Sequence, residues 1–498
     1  MIESHLSLLI VVFPLLTAPI VAALPNGRLP WAISTFVSWS VFAMACVQLF
    51  NVSTGNVISY ELGGWAPPWG IEYRIDAANA LVALIVSGIA AVTLPYALKS
   101  IEKEIPQHQH SLFYAAFMLC FTGLLGITQT GDIFNLFVFL EISSLSSYAL
   151  ISLGKKRQAL TASYQYLIMG TIGATFFIIG VGLLYVMTGT LNMADLAQRL
   201  PEMYEHRTIH TAFAFIMVGF ALKLALFPLH LWLPNAYTYA PTVVTIFLAA
   251  TATKVAVYVM LRVVFSVFGF SFIENTPTDE LFLLLCVVGI LSMSFYAIYQ
   301  RDSKRLLAYS SVAQIGYMML GIGFGSMLGV TATLVHLFNH ALMKGALFMA
   351  IGAIVYQVGS SRLQHMSGLG KQMPWTFAAI MIGGMSLIGV PGTAGFISKW
   401  YLVLAAIEQQ QWLIVAVILI GSLLAVIYVW KLIEVLYFKP ANETAQNISR
   451  QTSVKEAPLM LLIPMWILVL ANVYFGFNTE LTVGTAEQAV KLLLPGMN

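Results

Sequence analysis

Charge is scarce in this chain. Lys and Arg number 24 and Asp and Glu 21, so charged residues are 9% of 498 residues and hydrophobic ones 59%, with a mean hydropathy of +0.85. That balance excludes a soluble globular domain and defines a polytopic membrane protein. The formal net charge is only +3 and the basic residues are scattered between apolar runs, which excludes a grip on a nucleic-acid backbone. Cysteine is equally sparse. Cys46, Cys120 and Cys286 sit in apolar segments without CxxC spacing or a nearby His, so they read as small core residues, with no disulfide framework, zinc site or iron–sulfur ligation. A phosphate-binding Gly-rich loop, a catalytic triad and a metal cluster are also missing, and no cofactor is expected.

Long apolar runs are what the chain does have. A bilayer core about 30 Å thick takes roughly 20 apolar helical residues. Such runs fall near 6–24, 30–50, 79–99, 111–130, 133–153, 162–188, 210–231, 240–268, 281–299, 305–324, 327–356, 376–406, 411–437 and 457–476. The N-terminal stretch MIESHLSLLIVVFPLLTAPIVAALP lacks a basic n-region and carries Glu3 and His5, so it reads as a retained first helix.

Orientation tests the fourteen spans, because basic residues should collect in alternate loops. Fifteen of the 24 fall on one side: Arg28; Lys99 and Lys103; Lys155, Lys156 and Arg157; Arg301, Lys304 and Arg305; Arg362 and Lys371; and Lys431, Lys439, Arg450 and Lys455. Arg74, Arg199, Arg207 and Lys491 fall on the other, with Arg262 near it. The alternation supports an even number of spans with both termini outside. The cluster RDSKRLLAYSS reads as an inner anchor.

Four lysines, one glutamate and two histidines lie deep inside the spans: Glu141, Lys223, Lys254, His336, His340, Lys344 and Lys399. A charged group at such depth costs about 2.5–3.5 kcal/mol on insertion scales, so several of them together point to ion or proton movement. In LVHLFNHALMKGALF, His336, His340 and Lys344 recur every four residues and share one helix face, climbing about 12 Å. The alternative is hydrogen bonding to neighbouring carbonyls with Lys344 snorkelling. Glu141 lies mid-span, followed by Ser143, Ser144, Ser146 and Ser147, and Lys223 is its proposed partner. A carboxylate near an ammonium favours the protonated lysine and separation favours release, so helix movement can load and unload a proton. A static pair locking two helices is the alternative. Lys254 lies deep among the small residues of FLAATATKVAVYVML, between Lys223 and the His/Lys ladder; permanent pairing with a neighbouring polypeptide is its alternative. His230 and Asp132 lie near span ends and read as structural.

Two spans are interrupted next to their lysines. The seventh has Pro228 and Pro234 just beyond Lys223, and the twelfth has Pro391, Gly392 and Gly395 just before Lys399. Proline removes a backbone donor and glycine loosens the helix, so both segments should unwind there. Paired broken helices mark a midplane site in transporters built from repeats. The two lie five spans apart, which fits repeats of spans 4–8 and 9–13.

FNLFVFLEISSLSSYALI, KLALFPLHLWLPNAYTYAP, SSVAQIGYMMLGIG, LVHLFNHALMKGALF and GVPGTAGFISKW together resemble the proton-translocating antiporter-like family shared by Mrp-type cation/proton antiporters and respiratory complex I. The likeness is clearest over residues 75–440. It implies an all-α membrane fold of fourteen helices with two inverted five-helix repeats and broken helices 7 and 12. N-terminal helices would occupy 1–100, the repeats 111–268 and 281–437, and a loop with a C-terminal helix 438–498. It also implies a Glu141–Lys223 pair that tunes proton affinity, continued by Lys254, His336, His340 and Lys344 along a hydrated axis ending at Lys399.

Lys399 argues against the complex I member that has Glu at this place, and the largest members' long C-terminal extension and lateral helix are not expected here. PWTFAAIMIGGMSLIGVPGTAGFISKWYLV looks more like the D-type branch of the Mrp antiporters, with the fourteen-span complex I members as competitors. That branch implies a bacterial inner-membrane assembly with companions of the A, B, C, E, F and G types, exchanging H+ for Na+ or another monovalent cation, with no redox centre in this polypeptide. The rival is a pump driven by electron transfer in a quinone or hydrogenase complex. A stand-alone solute permease and a structural scaffold fit the buried titratable groups less well.

Overall fold

The computed structural model describes residues 5–440 and 454–495. Glu3, Arg450 and the other residues of 441–453 lie outside the described residues. Helices dominate because in hydrocarbon each backbone N–H and C=O must be satisfied within its own segment. In chain order they begin with α1 (Leu6–Ala23), α2 (Arg28–Val52), α3 (Ala77–Glu104), α4 (His110–Gln129), α5 (Ile133–Ser152), α6 (Gln158–Thr188) and α7 (Met193–Arg199). Next come α8 (Arg207–Leu224), α9 (Trp232–Tyr239), α10 (Thr242–Ala250), α11 (Ala252–Leu261), α12 (Phe270–Glu274), α13 (Thr278–Ile298) and α14 (Ser303–Gly323). The remainder are α15 (Met327–Val358), α16 (Pro374–Ile388), α17 (Ala394–Glu408), α18 (Trp412–Ile433), α19 (Leu459–Phe477) and α20 (Glu480–Leu493).

Among the described residues, thirteen helices are long and apolar enough to cross a membrane. The remaining crossing is the broken pair α16 and α17, each 15 residues and too short alone. The molecule is thus an all-α polytopic membrane protein. The few carboxylates are partly spent on helix starts: Asp76 caps α3 through Ala78 N at 2.9 Å, Asp132 caps α5 through Asn135 N at 2.7 Å, and Asp302 caps α14 through Lys304 N at 3.0 Å. Small residues let helices approach closely. Where α6 meets α8, a Cβ on Gly219 would stand 2.7 Å from the Gly173 carbonyl oxygen. The 32-residue α15 is buried for most of its length and packs against α3, α10, α14, α16, α17, α19 and α20, so it forms the molecule's central post.

Both expected interruptions are present. α8 ends at Leu224 because Ala225 turns left-handed (φ 60°), and the chain resumes as α9 after Pro228, with Pro234 inside the new helix. α16 ends at Gly389 (φ 92°), Pro391 and Gly392 (φ 85°) follow, and Gly395 falls in the first turn of α17. A third break is new. The eighth span is not continuous over 240–268 but divides at Thr251 (φ −126°, ψ −59°) and ends in a π-helical turn, Arg262–Val267. Threonine and alanine carry no strong breaking signal, so ATATK gave no warning of it.

Three further features differ from expectation. A hairpin of Ile58–Glu61 against Glu72–Ile75 stands in the loop between α2 and α3. The amphipathic α20 follows the last crossing and buries Val483, Ala486, Val490 and Leu493 against α3 and α15. Cys46 is exposed rather than core, because α2 is peripheral and this residue lies on its outer face; Cys120 and Cys286 are buried.

The break at α16/α17 is sterically tight, since a Cβ on Gly395 would stand 1.8 Å from the Ser386 carbonyl oxygen. Gly395→Ala should destabilise the protein by about 1–3 kcal/mol, seen as a lower thermal unfolding midpoint in detergent. Gly182→Ala in α6, whose Cβ would meet nothing within 4 Å, should leave that midpoint unchanged or higher.

Candidate functional site

The first cluster sits where α8 stops. Lys223, in its last turn, is buried and its Nζ donates to Glu141 Oε1 at 3.2 Å and Ser144 Oγ at 2.7 Å, both on α5. The broken stretch of backbone beyond it is held by Trp232, whose Nε1 donates to the Leu222 carbonyl at 3.0 Å while its ring stacks on Tyr166 at 3.9 Å. Glu141 is not enclosed by this chain: its side chain is 25% exposed. It lies on one stripe of α5 with Phe134, Val138 and Leu145, which are 45%, 39% and 56% exposed. A carboxylate at membrane depth is costly against lipid tails, which sets this stripe apart from the apolar faces of the other outer helices.

Lys254 stands just past the new break and is fully buried. Its Nζ donates to the Ala249 carbonyl, which the break leaves without a helical partner, and reaches Thr253 Oγ1 at 3.3 Å. Among the described residues it bonds to no other titratable group. A cavity of about 30 Å³ lined by Ser144, Ser147, Lys223, Tyr237, Thr253 and Ala256 separates it from the first cluster. That is room for about one water, with hydroxyls and the lysine set in an otherwise largely apolar wall to hold it.

The third cluster lies between α14, α15 and α17. Lys344 Nζ donates to Ser310 Oγ at 2.5 Å and the Leu307 carbonyl at 2.9 Å. His336 and His340 stack with ring centroids 5.8 Å apart. His336 shares hydrogen bonds with Gln314 Oε1 at 2.9 Å and Ser398 Oγ at 2.7 Å. Lys399 Nζ donates to Ser422 Oγ at 3.0 Å and to the carbonyls of Leu387 and Ile388 at 3.2 and 2.9 Å, which the α16 break frees; it also lies 4.9 Å from the Tyr317 ring centre. Both ring nitrogens of His340 are buried and, among the described residues, have no hydrogen-bond partner, a setting in which an internal water would satisfy them.

The structure therefore gathers the seven predicted residues into three groups rather than one bonded chain. Sequence reading missed the neutral partners Gln314, Ser310, Tyr317, Ser398 and Ser422. A signal for the first three existed: Ser310, Gln314 and Tyr317 form a polar stripe at helical spacing in SSVAQIGY. Lys304, expected to be an inner anchor, is instead 5% exposed. It donates to the Ala240 carbonyl at 3.3 Å and Thr242 Oγ1 at 3.1 Å, against a cavity of about 110 Å³. His230 stacks on Phe227 inside the α8/α9 break, and Asp132 is a helix cap.

Three of the four lysines deep inside the spans stand at helix breaks and all four are held by hydroxyls or carbonyls, a class of site suited to taking up and releasing protons inside a membrane protein. Residues 130–425 match the family described as "NADH:quinone oxidoreductase/Mrp antiporter, TM", and the chain belongs to that family. It is similar to the N-type subunit of the NADH-quinone oxidoreductase of Desulforudis audaxviator, with 39% identity covering 99% of this chain and 100% of that one. It is also similar to the D-type subunit of the Na(+)/H(+) antiporter of Alkalihalophilus pseudofirmus, with 31% identity covering 89% and 88%. A chain in the structure of the Mrp complex from Dietzia sp. DQ12-45-1b superposes with a TM-score of 0.90 at 26% identity, covering 99% and 98%. Both branches anticipated from the sequence are thus among its relatives.

His340→Phe keeps the ring shape and removes two buried nitrogens without protein partners. The unfolding midpoint should stay level or rise, while proton movement by the assembled complex falls about tenfold or more. A clear loss of stability would mean that the rest of the protein already satisfies those nitrogens.

Proposed function

We propose that this chain carries protons within a multisubunit antiporter that exchanges them for Na+ or another monovalent cation. Protons pass by way of Glu141, Lys223, Lys254, His340, His336, Lys344 and Lys399. The observation that carries the reading is the 3.2 Å contact between Lys223 and Glu141, one member of which sits at a helix break and the other on an outward stripe. When α5 holds Glu141 close, the ammonium form of Lys223 is favoured; when the pair parts, Lys223 releases its proton toward the small cavity and Lys254. The ladder on α15 and the Ser398–Lys399 end of α17 continue the route.

In this reading residues 111–268 and 281–437 are two inverted repeats, each with one broken helix, flanked by N-terminal helices over 1–100 and the 438–498 segment. The protein lies in a bacterial inner membrane with both termini outside. Other antiporter subunits cover the Glu141 stripe. Moving one charge through 100 mV is worth about 2.3 kcal/mol, enough to drive exchange without chemistry in this polypeptide.

A second reading keeps the same route but couples it to electron transfer in a quinone-reducing complex, and the 39% identity to an N-type oxidoreductase chain favours it. Purified membranes distinguish the two. An imposed Na+ gradient should drive proton movement in the antiporter, whereas the redox-driven pump needs an electron donor and co-purifies with iron–sulfur and flavin proteins.

In the assembled complex, Lys223→Ala, Glu141→Ala and Lys399→Ala should each lower proton movement by about tenfold or more with the composition of the complex unchanged. Normal proton movement in vesicles carrying any of these variants would reduce that residue to a structural role.

A further inference from the structure

Tyr258, Arg262 and Ser266 follow Lys254 at four-residue intervals, so one face of the eighth span stays polar from the membrane interior to its end. At 1.5 Å per residue, Arg262 stands about 12 Å beyond Lys254. The guanidinium of Arg262 closes this face. Its Nη2 donates to Asp76 Oδ1 at 2.5 Å, its Nε to the Tyr258 hydroxyl at 3.0 Å and its Nη1 to Ser266 Oγ at 3.4 Å. The two ion-paired side chains are only 14% and 8% exposed. Directly over them lies a cavity of about 370 Å³, lined by Arg74, Asp76, Thr130, Tyr258, Arg262 and Ser266 and edged by the C-terminal end of α20. It is on the side with few basic loop residues.

A cap for α3 needs no arginine, since Asp76 already accepts from Ala78 N and Asn79 N. Arg262 also opens a π-helical turn, a local irregularity that recurs at functional positions. Tyr258, 3% exposed, is the one hydroxyl between the arginine and the lysine on that face. We propose that the Asp76–Arg262 ion pair is an outer gate, which parts to let water from this cavity run past Tyr258 to Lys254. The first half of the molecule then has its own outlet, separate from Lys399. The inference rests on Lys254 being a proton carrier, as proposed above.

The test uses the assembled complex in right-side-out vesicles, with Cys46, Cys120 and Cys286 replaced by Ser and Tyr258→Cys introduced. A membrane-impermeant charged thiol reagent is added outside. Labelling at position 258 should be slow with the ion pair intact and rise several-fold with Asp76→Asn, a substitution that keeps a helix-capping side chain but removes the charge. Where that variant fails to assemble, Asp76→Asn with Arg262→Gln leaves no unpaired buried charge and should label equally fast. Equal labelling with and without the ion pair, whether fast or absent, overturns the gate. Decay of an imposed pH gradient separates the gate from the proton-carrier reading. Asp76→Asn should speed the decay with Tyr258 in place, and Lys254→Met should abolish the increase. Faster labelling whose leak ignores Lys254 keeps the gate and overturns that lysine's role.

Discussion

Everything in this protein depends on how an ammonium group survives inside a bilayer. No water or counter-ion is freely supplied there, so each buried lysine has to take its hydrogen bonds from the protein itself. Lys254 and Lys399 use carbonyls that unbroken helices would have consumed, at Ala249 and at Leu387 and Ile388. Lys344 uses the Leu307 carbonyl and a serine hydroxyl. Among the described residues, only Lys223 of these four lysines has a carboxylate partner. The breaks are therefore part of the solvation of the charge, and the prolines and glycines beside the lysines are there for the same reason as the lysines.

That arrangement is neutral in its partners and hence soft. Carbonyls and hydroxyls accept from an ammonium without fixing its charge as a carboxylate does, so a lysine held by them can exist with or without its proton. Imidazoles and the Gln314 amide extend this character along α14 and α15. The central post α15 supplies a rigid frame, while α8, α10 and α16 each offer a point where backbone geometry can change. Rigidity and adjustability are thus placed on different helices.

Much of this was legible in the sequence, for physical reasons. Hydropathy and loop charge gave the crossings, because membrane thickness and the positive-inside bias act on every residue. The Glu141–Lys223 adjacency was readable because a carboxylate and a lysine at similar depth need each other, and the breaks at Pro228 and at Pro391–Gly392 because those residues cannot continue a helix. The break at Thr251 was not legible, since tertiary packing and the Lys254–Ala249 contact impose it on residues with ordinary helical preference. Lys304 was hidden because a basic residue at the end of a span is normally exposed, and its contacts with the Ala240 carbonyl and the Thr242 hydroxyl appear only in three dimensions. The Asp76–Arg262 contact joins residues 186 positions apart, a distance at which charge spacing carries no information.

The outward position of Glu141 bears on how the protein is made. A copy inserted into the bilayer ahead of its neighbours would present a carboxylate amid Phe134, Val138 and Leu145 to acyl chains, drawing headgroups and water inward and thinning the leaflet around it. If companion subunits cover this stripe as proposed, a copy made in excess of them would keep that carboxylate uncovered in the bilayer, a defect that association alone would repair.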